Sequence, residues 1–324
     1  MFTFASISYN HSEYIIQHLE SIKYQIEEFG LNFDFDYVLC DDNSRDDTVE
    51  KARKWLDENR HLFKNITIFK SDINQGTVKN YLKTISMLDT NEAKILAGDD
   101  MYSCNNIFET YKGTKIVINF SYPFSLDNSK VATFPFESKY YDKVRVFLSV
   151  KNARFLKFFI GGGGSLSGPA TYYPTQFLQD ESLSNSLSKY KFVEDRPLWR
   201  HLFLKRELSD HVVYDFSQLI YYRTSVGVTS VSSPVHTLFK KDCQLLSKEA
   251  GIINNFPKYL NPFNYIIRSI IIYSKLMSFV QQITHKGKFY DQANLIESEA
   301  FSAKKHIEML NLKAEIFEKN FKIL

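Results

Sequence analysis

The 324-residue sequence contains few cysteines, and each of them is isolated. Cys40, Cys104 and Cys243 are odd in number and far apart, which excludes the paired spacing of a zinc site or a disulfide framework. We therefore expect buried thiols in a reducing cytosol. The net charge is also small, because 40 basic residues are nearly balanced by 37 acidic ones. Nucleic-acid binding normally requires a strongly basic face, so we expect no nucleic-acid partner.

Leader segments and glycine-rich nucleotide loops are lacking as well. Met1–Ser8 has neither a basic segment nor a long apolar run, so we expect no signal or transit peptide. The turn after the first predicted strand, Tyr9–Glu13, contains no glycine, which argues against a dinucleotide-binding Gly-x-Gly-x-x-Gly turn. The glycine-lysine motif of a P-loop is absent too. Rossmann dehydrogenases and P-loop kinases are thereby set aside.

The first hundred residues instead show a regular alternation of strand and helix patterns. Three helix patterns separate four apolar strands: the first begins with a cap at Ser12 and closes at Gly30, the second opens at Asp47 or Thr48, and the third includes Tyr81. Short connections between alternating elements predict an α/β fold with a mostly parallel sheet covered by helices on both faces. With 44% apolar residues, the chain can bury a full core. The predicted strands are Phe2–Ser8, Phe35–Cys40, Ile66–Phe69 and the segment from Lys94 to Asp99–Asp100.

Polar residues follow three of these strands, at Tyr9–Asn10, Asp41–Asp42 and Asp99–Asp100. Ligands bind at the carboxyl ends of parallel strands, so we expect these residues to meet at one edge. Adjacent side chains on an extended segment point to opposite sides, which gives Asp99 and Asp100 different tasks. Mg²⁺ and Mn²⁺ prefer oxygen ligands and are often shared with substrate phosphates. The pattern therefore predicts a metal-bridged nucleotide, although paired aspartates also form ordinary turns.

Taken together, these residues resemble the family 2 glycosyltransferases of GT-A fold, which are mainly bacterial sugar transferases. The resemblance rests on four motifs in order: Ile7–Asn10, Asp41–Thr48, Asn74–Gly76 and Ala97–Asp100. It implies an inverting, metal-dependent enzyme that moves a sugar from a nucleotide diphosphate sugar, foremost a UDP-sugar. The implied acceptor is a hydroxyl of a glycan or of a lipid-linked sugar in surface-polysaccharide synthesis, such as O-antigen or capsule.

The resemblance also implies roles for individual residues. Asp42 resembles the residue that hydrogen-bonds the nucleotide base, and Ser8 and Tyr9 resemble part of the pocket wall. Asp99 and Asp100 resemble the metal motif, in which the last acid, Asp100 here, usually contacts Mn²⁺ or Mg²⁺. Gly98 replaces the first acid of that motif, which leaves the number of ligands open. The motifs add four residues to the expected donor site: Asn10, Asn74, Gly76 and Asp99.

A second acidic pair, Glu194 and Asp195, stands directly before Arg196–Pro197. Proline favours the first turn of a helix, and the dipole at a helix N-terminus lowers the pKa of a carboxylate. From the residues alone, capping of that helix explains the pair equally well. The resemblance assigns the pair to the Glu-Asp element of the family, with Asp195 as the catalytic base and Glu194 beside it.

Two later segments remain open to more than one interpretation. Gly161–Pro169 holds five of the 12 glycines, and its backbone N–H groups would bind phosphate or an acceptor sugar unless it is a flexible linker. Arg223 would meet a donor phosphate as a planar cation or pair with a surface acid.

The chain is expected to divide into a GT-A domain, residues 1–233, and a C-terminal helical region, residues 234–324. The apolar run Ile266–Leu276 contains Arg268 and Lys275, which are too central for a membrane span. Three alternatives stay open for this region: peripheral contact with the inner membrane surface, packing on the catalytic domain, or a homodimer interface. Leu295–Leu324 should form an amphipathic helix. The expected location is the cytoplasm, either free or at the inner membrane face.

Two rival functions remain. A sugar nucleotidyltransferase would need a glycine-rich and basic first loop, which residues 8–13 do not offer. A non-catalytic sugar-nucleotide-binding or assembly protein would have a degenerate site, whereas Asp42, Asp100 and Asp195 are all present.

Overall fold

A computed structural model describes residues 1–111, 113–126, 132–133, 168–204, 212–224, 226–227, 235–249 and 286–322. Most of the glycine-rich segment, residues 161–167, and the apolar run 266–276 lie outside the described residues.

Four parallel strands form the first sheet. Their order is β3-β2-β1-β4, and every neighbouring pair is parallel. β1 and β2 are almost wholly buried along their length, as expected for strands that are covered on both faces. The predicted parallel sheet is confirmed, with strands β1 (Phe2–Ser8), β2 (Phe35–Asp41), β3 (Asn65–Lys70) and β4 (Glu92–Ala97).

Three helices connect these strands: α1 (Ile15–Phe29), α2 (Thr48–Glu58) and α3 (Thr77–Ile85). On one face of the sheet, α1 and α2 pack on a cluster that includes Phe4 and Trp55. On the opposite face, α3 packs on a second cluster. Fully burying one such side chain stabilises a fold by about 1.5–3 kcal/mol. Helices therefore cover both faces, as predicted.

The beginning of α1 differs from the prediction. Ser12 does not cap the helix, because α1 starts at Ile15 without a side-chain cap. The backbone N–H of Ser12 instead donates to the Asp46 carboxylate at 3.1 Å. The predicted end is confirmed, since the Gly30 N–H donates to the Ile26 carbonyl.

A second, mixed sheet follows the first. β9 pairs antiparallel with β5 and parallel with β6, while β6 pairs antiparallel with β7 and β8. The last residue of β9, Arg223, thereby lies beside the turn that follows β4. The strands are β5 (Met101–Tyr102), β6 (Ile116–Leu126), β7 (Ala132–Thr133), β8 (Thr171–Tyr172) and β9 (Val212–Arg223).

The remaining helices are α4 (Thr175–Leu178), α5 (Glu181–Leu187), α6 (Asp195–Leu204), α7 (His236–Glu249) and α8 (Lys286–Phe321). The helix predicted at Leu295–Leu324 is present as α8 and begins earlier. Phe317 of α8 joins the cluster under α1 and α2, and Lys51 of α2 pairs with Glu318 at 2.5 Å. Within the described residues, no helix has the length and apolar character needed to cross a membrane.

Candidate active site

The turns that follow β1 and β2 are joined to each other. Asn10 has a left-handed backbone with φ 54°, a conformation that asparagine tolerates better than most residues. Its backbone N–H donates to Ser44 Oγ at 2.8 Å, and its side-chain oxygen accepts from the Arg45 N–H at 2.9 Å. Asn10 therefore stabilises the edge at which a nucleotide is expected to bind.

Ser8 and Tyr9 have unequal access to a ligand. The Ser8 hydroxyl is buried and donates to the Asp41 carboxylate at 2.8 Å. The Tyr9 side chain is 39% exposed. Of these two predicted pocket residues, Tyr9 offers the accessible surface, and Ser8 supports the strand end behind it.

Asp42 brings two of the predicted motifs together. Its buried carboxylate accepts hydrogen bonds from the Gln75 and Gly76 N–H groups, both at 2.7 Å. Burial raises the pKa of Asp42, and these two hydrogen bonds oppose that rise. Gly76 has φ 93°, which favours glycine, while Asn74 is exposed at the same turn. The carboxylate thus holds the Asn74–Gly76 turn in place.

Asp99 and Asp100 do not lie on an extended strand, contrary to the prediction. β4 ends at Ala97, and Gly98–Asp100 form a turn in which the Asp100 N–H donates to the Ala97 carbonyl at 3.0 Å. The two side chains still differ in their surroundings, but the turn rather than strand alternation separates them.

Asp100 is enclosed and Asp99 is the more accessible of the two. The Asp100 carboxylate is 2% exposed and accepts from the Arg223 N–H at 2.9 Å. Burial, followed by the charge of Asp99, raises the pKa of Asp100 well above its usual range. The side chain of Asp99 keeps 12% exposure, and its carboxylate lies 3.9 Å from the imidazole of His11. Asp99 is therefore the more accessible of the two carboxylates, and the metal role expected for Asp100 stays a prediction.

Arg223 packs against the Gly98–Asp100 turn and hydrogen-bonds to its backbone. Its side chain is 3% exposed, so it does not pair with a surface acid. The Nε–H donates to the Asp99 carbonyl at 3.0 Å, and a second N–H donates to Gln17. Its guanidinium lies 4.6 Å from the Tyr14 ring centroid and 4.7 Å from that of Phe124, distances typical of cation–π contacts. These contacts fix the backbone of the acidic turn.

Glu194 and Asp195 lie at the start of α6, as predicted, but the expected lowering of their pKa values is wrong. The Asp195 carboxylate accepts from the Arg196 N–H at 2.7 Å, yet burial outweighs this bond and raises the pKa of Asp195. Burial and the adjacent charge of Asp195 raise the pKa of Glu194 to about 8. Both carboxyls of the pair therefore hold their protons to a higher pH than free carboxyls do.

A small cleft, with a cavity volume of about 60 Å³, lies between this pair and strands β1 and β4. Its lining includes Ile7 at the end of β1 and Ala97 at the end of β4, as well as both acids. Gly168 lies against the pair, because a Cβ there would be 3.1 Å from the Asp195 Cβ. The acid pair therefore shares this cleft with residues at the ends of β1 and β4, whereas the predicted donor residues of the described chain do not line it.

Sequence reasoning missed three residues around this cleft. Tyr81, Lys94 and Tyr173 all line it, and Lys94 is buried with its amine donating to the Thr171 carbonyl at 2.6 Å. Burial lowers the pKa of Lys94 to about 7. The sequence could have indicated Lys94, because it is a single lysine inside a mostly apolar strand. The two tyrosines could not be distinguished from ordinary core residues.

A family model matches the first part of the chain. Residues 4–103 match the model for glycosyl transferase family 2. Over this range the chain is similar to that family. The matched range includes the motifs around Asn10, Asp42, Gly76 and Asp99–Asp100, so the resemblance inferred from the sequence is confirmed. No curated protein sequence matches the chain.

Solved structures of S. aureus TarS share the fold of this transferase. TarS 1–349 aligns with a TM-score of 0.50 and 15% identity over 98% of this chain and 91% of that one. TarS 1–349 in complex with UDP-GlcNAc aligns with a TM-score of 0.50 and 15% identity over 95% and 83%. The chain spans 41% of a longer TarS structure. The predicted GT-A fold is confirmed, and the fold together with the family match over residues 4–103 supports a glycosyltransferase.

The raised pKa of Glu194 predicts a pH-dependent stability for the transferase. The unfolded chain releases the Glu194 proton near pH 4.3, whereas the folded protein holds it to about pH 8. The folded state therefore loses stability as the pH rises between these two values. Glu194→Gln removes this proton linkage. We therefore expect the melting temperature of the variant to gain on wild type between about pH 5 and about pH 8.

Thermal unfolding at a series of pH values checks this expectation. Glu28→Gln, at an exposed position on α1, serves as the control and should show a constant difference from wild type. A constant difference for Glu194→Gln as well would contradict the raised pKa.

Proposed function

We propose that this glycosyltransferase moves a sugar from a nucleoside diphosphate sugar to a hydroxyl of a glycan or lipid-linked acceptor. The observation that carries the proposal is the shared cleft, in which Glu194 and Asp195 face the ends of β1 and β4. A donor bound at the strand ends would place its sugar beside a carboxylate that can accept a proton. Synthesis of a bacterial surface polysaccharide is the proposed context.

A UDP-sugar is the proposed donor class. TarS 1–349, which shares the fold, has been crystallised with UDP-GlcNAc. UDP-GlcNAc is therefore the first donor to test. A lipid-linked acceptor would bring the enzyme to the inner membrane face. The membrane and homodimer alternatives remain predictions, because the apolar run 266–276 lies outside the described residues.

The proposed reaction is a single displacement. Asp195 removes the proton from the acceptor hydroxyl while that oxygen attacks the anomeric carbon and the bond to the diphosphate breaks. Attack from the side opposite the leaving group inverts the anomeric centre. Glu194 lies beside this base, and its pKa is raised by burial and by the charge of Asp195.

The residues present suit a divalent cation that is shared with the donor. Among the described residues, no three His, Cys, Asp or Glu side chains are grouped to hold a metal by themselves. Mg²⁺ and Mn²⁺ commonly use one or two carboxylates together with substrate phosphates. We propose that Asp99 supplies the carboxylate, while Asp100 and Arg223 hold its turn. When bound, the cation would neutralise charge on the departing diphosphate.

Asp42→Ala tests the nucleotide side of the proposal. The substitution removes the acceptor of two N–H groups at the Asn74–Gly76 turn. We expect UDP binding to weaken by about 1.5–3 kcal/mol, the usual worth of hydrogen bonds to a charged group. Calorimetric titration with UDP measures this loss, with Asp72→Ala, in the same loop and exposed, as the control. Unchanged UDP affinity with a reduced turnover would contradict a role for Asp42 in nucleotide binding.

A screen of nucleotide sugars tests the function as a whole. We expect hydrolysis of one donor, and a rise in melting temperature with it, in the presence of Mn²⁺ or Mg²⁺. Pyrophosphate release from a nucleoside triphosphate and a sugar phosphate would indicate a nucleotidyltransferase instead. Binding without turnover in the presence of varied acceptors would indicate a non-catalytic protein.

A further inference from the structure

Asp242, on α7, lies beyond the predicted domain boundary and yet contacts the segment that leads to the acid pair. Its carboxylate is buried. One oxygen, Oδ2, accepts hydrogen bonds from the Lys191 N–H at 2.9 Å and the Phe192 N–H at 2.6 Å. Only Val193 separates Phe192 from Glu194 in the chain. Asp242 therefore fixes the backbone immediately before the catalytic acids.

The same segment contacts the nucleotide turn. The Lys191 carbonyl accepts from the Val78 N–H at 3.0 Å. Gly76 packs so closely that a Cβ there would lie 2.7 Å from this carbonyl and 2.6 Å from the Lys191 Cγ. Since the Gly76 N–H donates to Asp42, contacts run continuously from Asp42 through Gly76 and Lys191 to Asp242.

Helix α7 also reaches the other side of the acid pair. The guanidinium of Arg196 donates to the sulfur of Cys243 at 3.9 Å. Asp242 and its neighbour Cys243 thus contact residues on both sides of Glu194–Asp195. This arrangement joins α7 to the entrance of α6.

We propose that Asp242 is a positioning residue that sets the nucleotide turn and the catalytic acid pair relative to each other. The inference rests on the proposed function for its kinetic consequences, but the contacts it describes require no ligand. Without an acceptor, the Lys191 and Phe192 N–H groups would lose their partner, and the Phe192 N–H is buried, where an unsatisfied donor is costly. The Lys191–Phe192 segment would then move, and Gly76, which touches Lys191, would move with it.

Two variants of similar size separate the hydrogen bonds from the packing. Asp242→Asn keeps an oxygen at the position of Oδ2, so it can still accept both bonds. Asp242→Leu removes the acceptor. We expect the leucine variant to weaken UDP binding and lower turnover by about 10-fold or more each, which corresponds to the cost of unsatisfied buried groups. The asparagine variant should stay within a few-fold of wild type, and Lys241→Ala, exposed on the same helix, should match wild type.

Hydrogen–deuterium exchange without ligand gives a readout that is independent of the proposed function. In Asp242→Leu we expect faster exchange than in wild type in peptides covering 188–195 and in those covering 74–80. In Asp242→Asn both sets of peptides should exchange at the wild-type rate. Faster exchange at 188–195 alone would overturn the coupling to the nucleotide turn. Unchanged UDP affinity and turnover in a folded Asp242→Leu variant would overturn the positioning role, even if its melting temperature falls.

Gly76→Ala tests the same contact from the opposite end and does not depend on the leucine variant folding. The added methyl would meet the Lys191 carbonyl, so exchange should increase at 188–195 as well as at 74–80. In a double-mutant cycle, Asp42→Ala and Asp242→Leu should weaken UDP binding less together than the sum of their separate losses, because both act on one contact. Additive losses, or exchange confined to 74–80 in Gly76→Ala, would count against the proposal.

Discussion

Asp195→Asn should lower sugar transfer by about 10²–10⁴-fold, the usual contribution of a positioned general base. The amide preserves the shape of the side chain and its oxygen can still accept from the Arg196 N–H, so α6 should begin as before. Donor binding should stay close to wild type, because the acid acts on the acceptor hydroxyl. Initial transfer rates, with UDP affinity measured in parallel, check this expectation.

Glu194→Gln is the matched control for Asp195→Asn. Because Glu194 is proposed to stand beside the base rather than to accept the acceptor's proton, the loss of activity should be milder. A large loss in Glu194→Gln with near-normal Asp195→Asn would reverse the two roles. Loss of donor binding in both variants would show that the pair is structural.

Asp99→Asn should remove the dependence of UDP binding on Mn²⁺ or Mg²⁺ and lower transfer on the order of 10³-fold. The cation would lose the charge of its protein ligand, and metal stabilisation of a leaving group is worth several kcal/mol. UDP titrations with and without metal measure the first effect, and initial rates measure the second. Full transfer activity in chelator would contradict the metal role itself.

Asp100→Asn makes the same chemical change one residue away and provides the comparison. Its side-chain oxygen can still accept from the Arg223 N–H, so metal-dependent binding should survive. We expect the substitution to lower the free energy of unfolding by about 1–3 kcal/mol, because the buried Arg223 N–H would donate to a neutral oxygen instead of a carboxylate. The opposite pattern, with metal dependence lost at Asp100 and retained at Asp99, would restore the assignment made from the sequence.

The sequence was a sufficient guide to the first four strands and their helices. Apolar periodicity between short polar turns is a local property, so the parallel sheet, the closing Gly30 and the start of α6 at Asp195 could all be read from it. The cap at Ser12 was wrong because the turn after β1 continues to Tyr14 and is tied to another loop, where the Ser12 backbone N–H donates to Asp46. A local pattern does not contain such a partner.

Individual roles depended on contacts between distant segments. Asp99 and Asp100 are chemically equivalent in the sequence, and they differ because Arg223, at the end of a strand far along the chain, binds the backbone of one and the side chain of the other. The acid pair was expected to have lowered pKa values from the helix dipole. Burial against Gly168 and the surrounding cleft outweighs that dipole and raises them instead.

By itself, the sequence determined the alternating fold, the three polar strand ends and the presence of two acidic pairs, because these follow from residue type and spacing along one segment. Only the tertiary structure decided that Asp42 holds the turn at Gly76, that Asp100 is enclosed, and that Asp242 reaches the segment before Glu194. Each of these depends on which buried donor meets which acceptor when separate segments pack together. That pairing is a property of three-dimensional contacts, since desolvated polar groups must find their partners wherever the fold brings them.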